Sequence, residues 1–263
     1  MAIFYDTHAH LDYPDFDAEL AAVIERARNA GIQKIVAVGT DEASSRKVVR
    51  IAEQFPAVFA VVGWHPSEAG QAPEDIRGLL RELAAHPKVV GLGETGLDYH
   101  RLPGGAADAP YKRRQANLFR QHLEVAAELG LNCVIHQRDA LEDLLAQFEP
   151  HARGVRGVFH CFANDATAMQ RIVALGSLVS FTGIATFKNG GNVRDTIAAT
   201  PLGKLMLETD SPYLAPMPYR GKRCEPAYVK EISEVVARVK GCTLEELSAA
   251  TCKTAEEFFS KIR

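Results

Sequence analysis

The sequence has no Cys-x-x-Cys pair. Its five cysteines, Cys133, Cys161, Cys224, Cys242 and Cys252, are odd in number and scattered. That pattern argues against a disulfide framework and a zinc knuckle, and suits reduced thiols in a cytoplasmic protein. No apolar run approaches the ~18 residues needed to cross a bilayer, so no membrane partner is expected. The opening Met1-Ala2-Ile3-Phe4-Tyr5-Asp6 lacks a basic segment and reads as a strand, not as a signal peptide. Neither sign of charge dominates. Thirty Lys and Arg stand against 33 Asp and Glu, for a net charge of −3. Nothing in that balance attracts polyanions globally, so any nucleic acid would have to meet a local basic patch. Low-complexity tracts and linker-like stretches are also missing. The 263 residues, 47% hydrophobic and 24% charged, therefore predict one domain, 1–263, burying roughly 70–75% of its unfolded surface.

What is there is an alternation. Short apolar runs lie at 2–5, 34–38, 58–63, 89–93, 132–135, 157–159, 177–181 and 205–207. Helical patterns follow them at 15–30, 42–55, 73–85, 111–129, 140–148, 166–175 and 193–199, and two more, 226–239 and 244–261, finish the chain. Gly31, Pro56, Gly130 and Gly176 punctuate the ends. The strand runs are near-continuously apolar, as expected for parallel strands covered on both faces. Eight such units predict an α/β fold, a (β/α)8 TIM-like barrel with an additional C-terminal helix. A doubly wound open sheet is the alternative, weakened by the lack of a glycine-rich phosphate loop after the first strand.

The chemistry gathers at strand ends. In Asp6-Thr7-His8-Ala9-His10 the two histidines are two residues apart, so an extended backbone projects both imidazoles from one face. Imidazole is the commonest metal-ligand side chain. Glu94 ends the fourth run, His136 the fifth, His160 the sixth and Asp210 the eighth. In a barrel these ends open on the face where active sites are built. Six potential ligands fit two divalent ions, with His8, His10, Glu94 and Asp210 around the first and Glu94, His136 and His160 around the second. Paired ions can clamp the attacking and leaving oxygens of a displacement and lower the pKa of water. Asp210 could then take the proton from that water. Helix capping is the alternative for Glu94 and Asp210. His86, His122 and His151 are expected in surface or packing roles.

Taken together, these motifs resemble the TatD-type metal-dependent deoxyribonucleases, over nearly the whole length. The resemblance rests on Thr7-His8-Ala9-His10-Leu11-Asp12, Gly63-Trp64-His65-Pro66 and Gly91-Leu92-Gly93-Glu94-Thr95-Gly96-Leu97-Asp98-Tyr99. It continues in Val134-Ile135-His136-Gln137-Arg138-Asp139-Ala140, Gly157-Val158-Phe159-His160-Cys161-Phe162, Ser180-Phe181-Thr182-Gly183-Ile184, Leu207-Glu208-Thr209-Asp210-Ser211-Pro212-Tyr213-Leu214 and Tyr219-Arg220-Gly221-Lys222-Arg223. It implies a TIM-like barrel, the same six metal ligands and hydrolysis of DNA phosphodiesters. Members similar to this chain are described as 3′–5′ exonucleases or endonucleases, some tied to DNA repair. Such proteins usually carry asparagine where this chain has Cys224, a weaker hydrogen-bonding group.

Substrate groups follow from position. Lys222 and Arg223 lie in the loop after the eighth strand and are expected to hold phosphate, one as a point charge and the other as a fork. Arg113 and Arg114 read as solvated charges. His65, at the end of the third run, suits hydrogen bonding to the leaving group, with packing beside Trp64 as the alternative. Trp64, Tyr99 and Tyr213 could stack the bases of a single strand, or simply pack. The expected cofactors are two divalent metal ions, Mg, Mn or Zn. The expected partner is DNA, single-stranded or with nicked ends, and the expected assembly a monomer. A rival function on the same barrel is amide or ester hydrolysis, including deacylation of aminoacyl-tRNA. Many two-metal members of that class bridge their ions with a carboxylated lysine, where this chain offers Glu94.

Overall fold

All eight apolar runs become strands, and their order in space is their order in the chain. The computed structural model describes residues 2–262. The strands are β1 (Phe4–Ala9), β2 (Ile32–Val38), β3 (Val58–Val62), β4 (Val89–Asp98), β5 (Cys133–Arg138), β6 (Gly157–Phe159), β7 (Leu178–Phe181) and β8 (Leu205–Leu207). Each pairs in parallel with the next. The helices are α1 (Pro14–Asp17), α2 (Leu20–Asn29), α3 (Glu42–Gln54), α4 (Arg77–Ala84), α5 (Asp108–Leu129), α6 (Leu141–Phe148), α7 (Ala166–Ala174), α8 (Gly191–Ala199), α9 (Val229–Lys240) and α10 (Leu244–Phe258). This is the (β/α)8 barrel with an additional C-terminal helix that the alternation predicts. Among the described residues no helix is long and apolar enough to cross a membrane.

The barrel closes through the site itself. Beyond β8 the chain meets β1 in a single parallel bridge, Ala9 with Ser211. The amide of Asp210 donates to His8 O at 2.9 Å, and the amide of His10 donates to Ser211 O at 2.8 Å. Closure thus sets Asp210 against His8 and His10, although about 200 residues of chain separate them. At the opposite end the interior is plugged. Tyr5, Val36, Val61, Val90, Val134, Val158 and Met206 point inward and pack on Phe258, Phe259 and Ile262 from the C-terminal segment. The plug leaves only the C-terminal rim of the strands open, where enzymes of this fold carry their sites.

Two elements differ from the sequence expectation. The helix expected over 15–30 is two helices, because Glu19 leaves helical geometry (φ −141°, ψ 21°) while Phe16 turns fully into the core. The fourth strand does not stop at Glu94. It runs on to Asp98, pairing Thr95, Gly96, Leu97 and Asp98 with Ile135, His136, Gln137 and Arg138. Gly93 allows this: it holds φ +126°, and a Cβ there would strike the Val134 carbonyl. The extension carries Glu94 inside the rim and brings Asp98 alongside His136.

Candidate metal centre

Glu94 stands at the middle of the open rim with five imidazoles around it, and its side chain is only 3% exposed. Its two oxygens face different groups. Oε2 lies 3.3 Å from His8 Nε2 and 3.7 Å from His10 Nε2. Oε1 lies 2.7 Å from His160 Nε2, 2.9 Å from His136 Nδ1 and 3.3 Å from His65 Nε2. Asp210 completes the first group, with Oδ1 at 3.4 Å from His10 Nε2 and 3.7 Å from His8 Nε2. All six residues expected from sequence as ligands therefore meet. His8, His10 and Asp210 bring donor atoms within 4.8 Å of one another, as do His65, Glu94 and His136.

Hydrogen bonds behind the imidazoles set which nitrogen faces inward. His10 Nδ1 lies 3.1 Å from the Val38 carbonyl, which can only accept, so Nδ1 carries the proton and Nε2 offers a lone pair. His136 places Nε2 3.1 Å from the Asp98 carboxylate, which leaves Nδ1 bare toward Glu94. Glu208, 1% exposed, accepts the Cys161 amide at 2.6 Å and stands 3.6 Å from His160 Nδ1. His8 and His160 stack with ring centroids 4.1 Å apart, and both direct Nε2 to Glu94. Carboxylate or carbonyl partners of this kind fix ligand tautomers in metal sites. Bare nitrogens facing carboxylate oxygens repel unless a cation or protons lie between them. A mixed imidazole and carboxylate set of this kind suits divalent metals.

Protons can take the place of the cation between these groups. Burial raises Glu94, but the charges of His160, His65 and His8 outweigh it and hold the carboxyl well below its usual range. Burial lowers His10, yet the Asp210 hydrogen bond and the Glu94 and Asp210 charges lift it to about 9. His160 is raised against burial by Glu94 and Glu208. Protons held so tightly are what a metal ion displaces on binding. Burial pushes His8 down.

His65 is a donor by its surroundings. The Ser67 backbone amide donates to His65 Nδ1 at 3.0 Å, so the neutral ring carries its proton on Nε2. That N–H points into the cluster, 3.2 Å from His136 Nδ1. Burial keeps the ring below its ordinary pKa.

The loop cations behave differently from the sequence expectation. Arg223 donates to Asp15 O and to Glu19 Oε1, the latter at 2.8 Å, and lies over the Phe16 ring. Its guanidinium ties the loop to α1 and to the turn that precedes α2. Lys222 is exposed and lines neither cavity at the rim. Arg101 and Arg138 line the cleft that holds the cluster. Arg114 donates to Ala69 O and Ala72 O. Tyr213 is 52% exposed at the cleft mouth, beside Tyr13 at 5.9 Å. Tyr99 is held by Asp143, and Trp64 is buried. His122 is fully buried and accepts the Trp64 amide at 3.0 Å, so it supports the His65 loop from below. Cys224 is buried and donates its amide to Pro212 O at 2.9 Å.

Three residues go beyond the sequence reading of single side chains: Asp98, Glu208 and Asp6. Asp98 lies four residues past Glu94, the same face of an extended strand, but only a longer β4 makes that spacing count. Asp6 is buried and accepts both the Thr209 amide at 2.9 Å and its hydroxyl at 2.6 Å. Burial lifts its carboxyl to about 8. It pins the segment leading to Asp210 onto β1.

The chain is similar to known proteins over nearly its whole length. Residues 5–260 match the family described as TatD related DNase. The chain is 38% identical over 258 residues to the uncharacterized metal-dependent hydrolase YabD of Bacillus subtilis (strain 168), covering 98% of this chain and 99% of that protein. It is 31% identical over 261 residues to the 3'-5' ssDNA/RNA exonuclease TatD of Citrobacter rodentium, covering 97% of each. Among solved structures, YJJV, a TatD homolog from Escherichia coli K12, superposes with a TM-score of 0.88 at 28% identity, over 98% of each chain.

Proposed function

The chain belongs to the TatD related DNase family of metal-dependent hydrolases, and from that premise we propose that it hydrolyses phosphodiester bonds of DNA. One observation carries the reading. The two oxygens of Glu94 each face a separate set of imidazoles, His8 and His10 on one side and His136 and His160 on the other. A shared carboxylate between two ligand sets would hold a pair of cations, the arrangement many phosphatases and nucleases use for displacement at phosphorus. When bound, divalent cations supply Lewis acidity at the phosphoryl oxygen and lower the pKa of water. The sixth ligand, Asp210, reaches the cleft with a side chain 14% exposed, and serves as the base that takes the proton of the attacking water. The water oxygen bonds to phosphorus while the bond from phosphorus to the leaving oxygen breaks. His65, with its proton on Nε2, donates it to that oxygen. A relative named for single-stranded DNA and RNA exonuclease activity supports a substrate with an unpaired end.

The test is a time course on end-labelled single- and double-stranded DNA with Mg, Mn or Zn, and with chelator. Release of nucleotides or fragments that needs a divalent cation is the expected result. Turnover of esters, amides or lactones with DNA left intact would replace this reading by the rival one.

A further inference from the structure

Four non-glycine residues hold left-handed backbone among the described residues: Asp139 (φ 54°), Cys161 (φ 47°), Asp210 (φ 58°) and Leu214 (φ 56°). Such conformations are strained for L-residues, and they cluster at functional sites. Asp210 belongs to the cluster already described. The other three line one cavity beside it, of about 590 Å³. That volume is in the range of small-ligand pockets, roughly 300–1,000 Å³. His136 and His160 form the cavity's inner wall, and the phosphodiester chemistry set out above gives the rest of it no role.

Its lining mixes apolar and polar residues. Leu141, Phe162, Ile184 and Leu214 form the apolar part. Asn164 lies on the polar part, and the Gln137 carboxamide is already committed. Gln137 donates to Asn164 Oδ1 at 2.8 Å and accepts the Ala140 and Leu141 amides, each at 3.1 Å. Asn164 is thereby left with its amide nitrogen as the free donor. At the junction stands Arg138, which lines both this cavity and the cleft of about 230 Å³ that holds Glu94 and Asp210. Arg138 follows His136 by two residues on β5, and its guanidinium has no partner among the described residues.

Resting on the phosphodiesterase reading, we infer that this cavity is a nucleoside subsite and that Arg138 grips the adjoining phosphate. Cleavage between two nucleotides puts a phosphate at the cluster and a nucleoside on either side of it. A flat base suits the apolar wall, and Asn164 offers a donor to its edge. A guanidinium forks onto two phosphate oxygens. A base still paired in a duplex cannot lay its face on this wall, which selects unpaired nucleotides.

The experiment is calorimetric titration of the metal-loaded protein with deoxyadenosine 5′-monophosphate and with deoxyadenosine. Parent, Arg138→Met and Ala163→Trp are compared at equal metal content and thermal stability. Arg138 and Ala163 are both exposed, so neither change disturbs the core, and the indole from position 163 fills the cavity. The monophosphate should bind the parent and weaken roughly tenfold or more in Arg138→Met, the loss of a charge-assisted contact. Deoxyadenosine should be indifferent to Arg138→Met, and Ala163→Trp should weaken both ligands. Absence of monophosphate binding to the parent, or equal binding by all three proteins, overturns the subsite. Cleavage of DNA with ligand binding unaltered by either change would sink the subsite alone. The expected binding pattern without any DNA cleavage would sink the nuclease reading and leave the subsite standing.

Discussion

Asp98 holds His136 by its Nε2 at 3.1 Å and so turns Nδ1 toward Glu94. The carboxyl sits near pKa 2, because the His136 contact and the His100 and Arg101 amides outweigh burial. It therefore stays ionised across the working range of pH and keeps the His136 proton away from the cluster.

Asp98→Asn should weaken binding at the Glu94–His136–His160 set by roughly 10–100-fold, the usual cost of removing a partner behind a metal-ligating histidine. An asparagine keeps the size of the side chain but favours neither tautomer of His136. Calorimetric titration with Zn or Mn gives the affinity directly. Unchanged affinity at both sets would mean that His136 is oriented by packing alone.

Asp210 tests the proton transfer. Its carboxyl is held below its usual range, with burial outweighed by the hydrogen bond to His10 and the charges of His8, His10 and His160. Asp210→Asn keeps the shape and one oxygen donor but cannot accept a proton. Single-turnover cleavage should fall by about 10²–10⁴, the range for general-base help, while DNA affinity stays near that of the parent. A rate within a few-fold of the parent would pass the role of base to another group at the rim, His65 first.

His122 links stability to pH. Its Nδ1 donates to Leu118 O at 2.8 Å and its Nε2 accepts the Trp64 amide, so the folded protein needs the neutral ring. Burial pushes it down to about 4 from 6.5. The unfolded chain therefore binds the extra proton between those values. The stability His122 confers is complete above pH 6.5 and is lost as pH falls to about 4, about 3 kcal/mol in all. Urea unfolding at a series of pH values should show a shallower acid loss in His122→Gln than in the parent. Parallel curves would assign the acid sensitivity to other groups.

The legible part of this protein was what chain-local physics controls. Near-continuous apolar runs separated by helical periods can satisfy their backbone and bury both faces only as parallel strands with helices outside. The positions of His8, His10, Glu94, His136, His160 and Asp210 at run ends then follow from the same pattern. Arg223 and Asp98 were decided elsewhere. Arg223 looks like a phosphate ligand by its place in a rim loop, yet Glu19 and Phe16, about 200 residues away, claim its guanidinium. Asp98 looks like a loop residue, yet Gly93 and Gly96 let β4 continue and pair with β5, which carries Asp98 to His136. Arg138 acquires its place only because two cavities meet at the end of β5. A side chain's neighbours across a barrel depend on closure and on register between distant strands, and neither is written in the spacing of residues along one run.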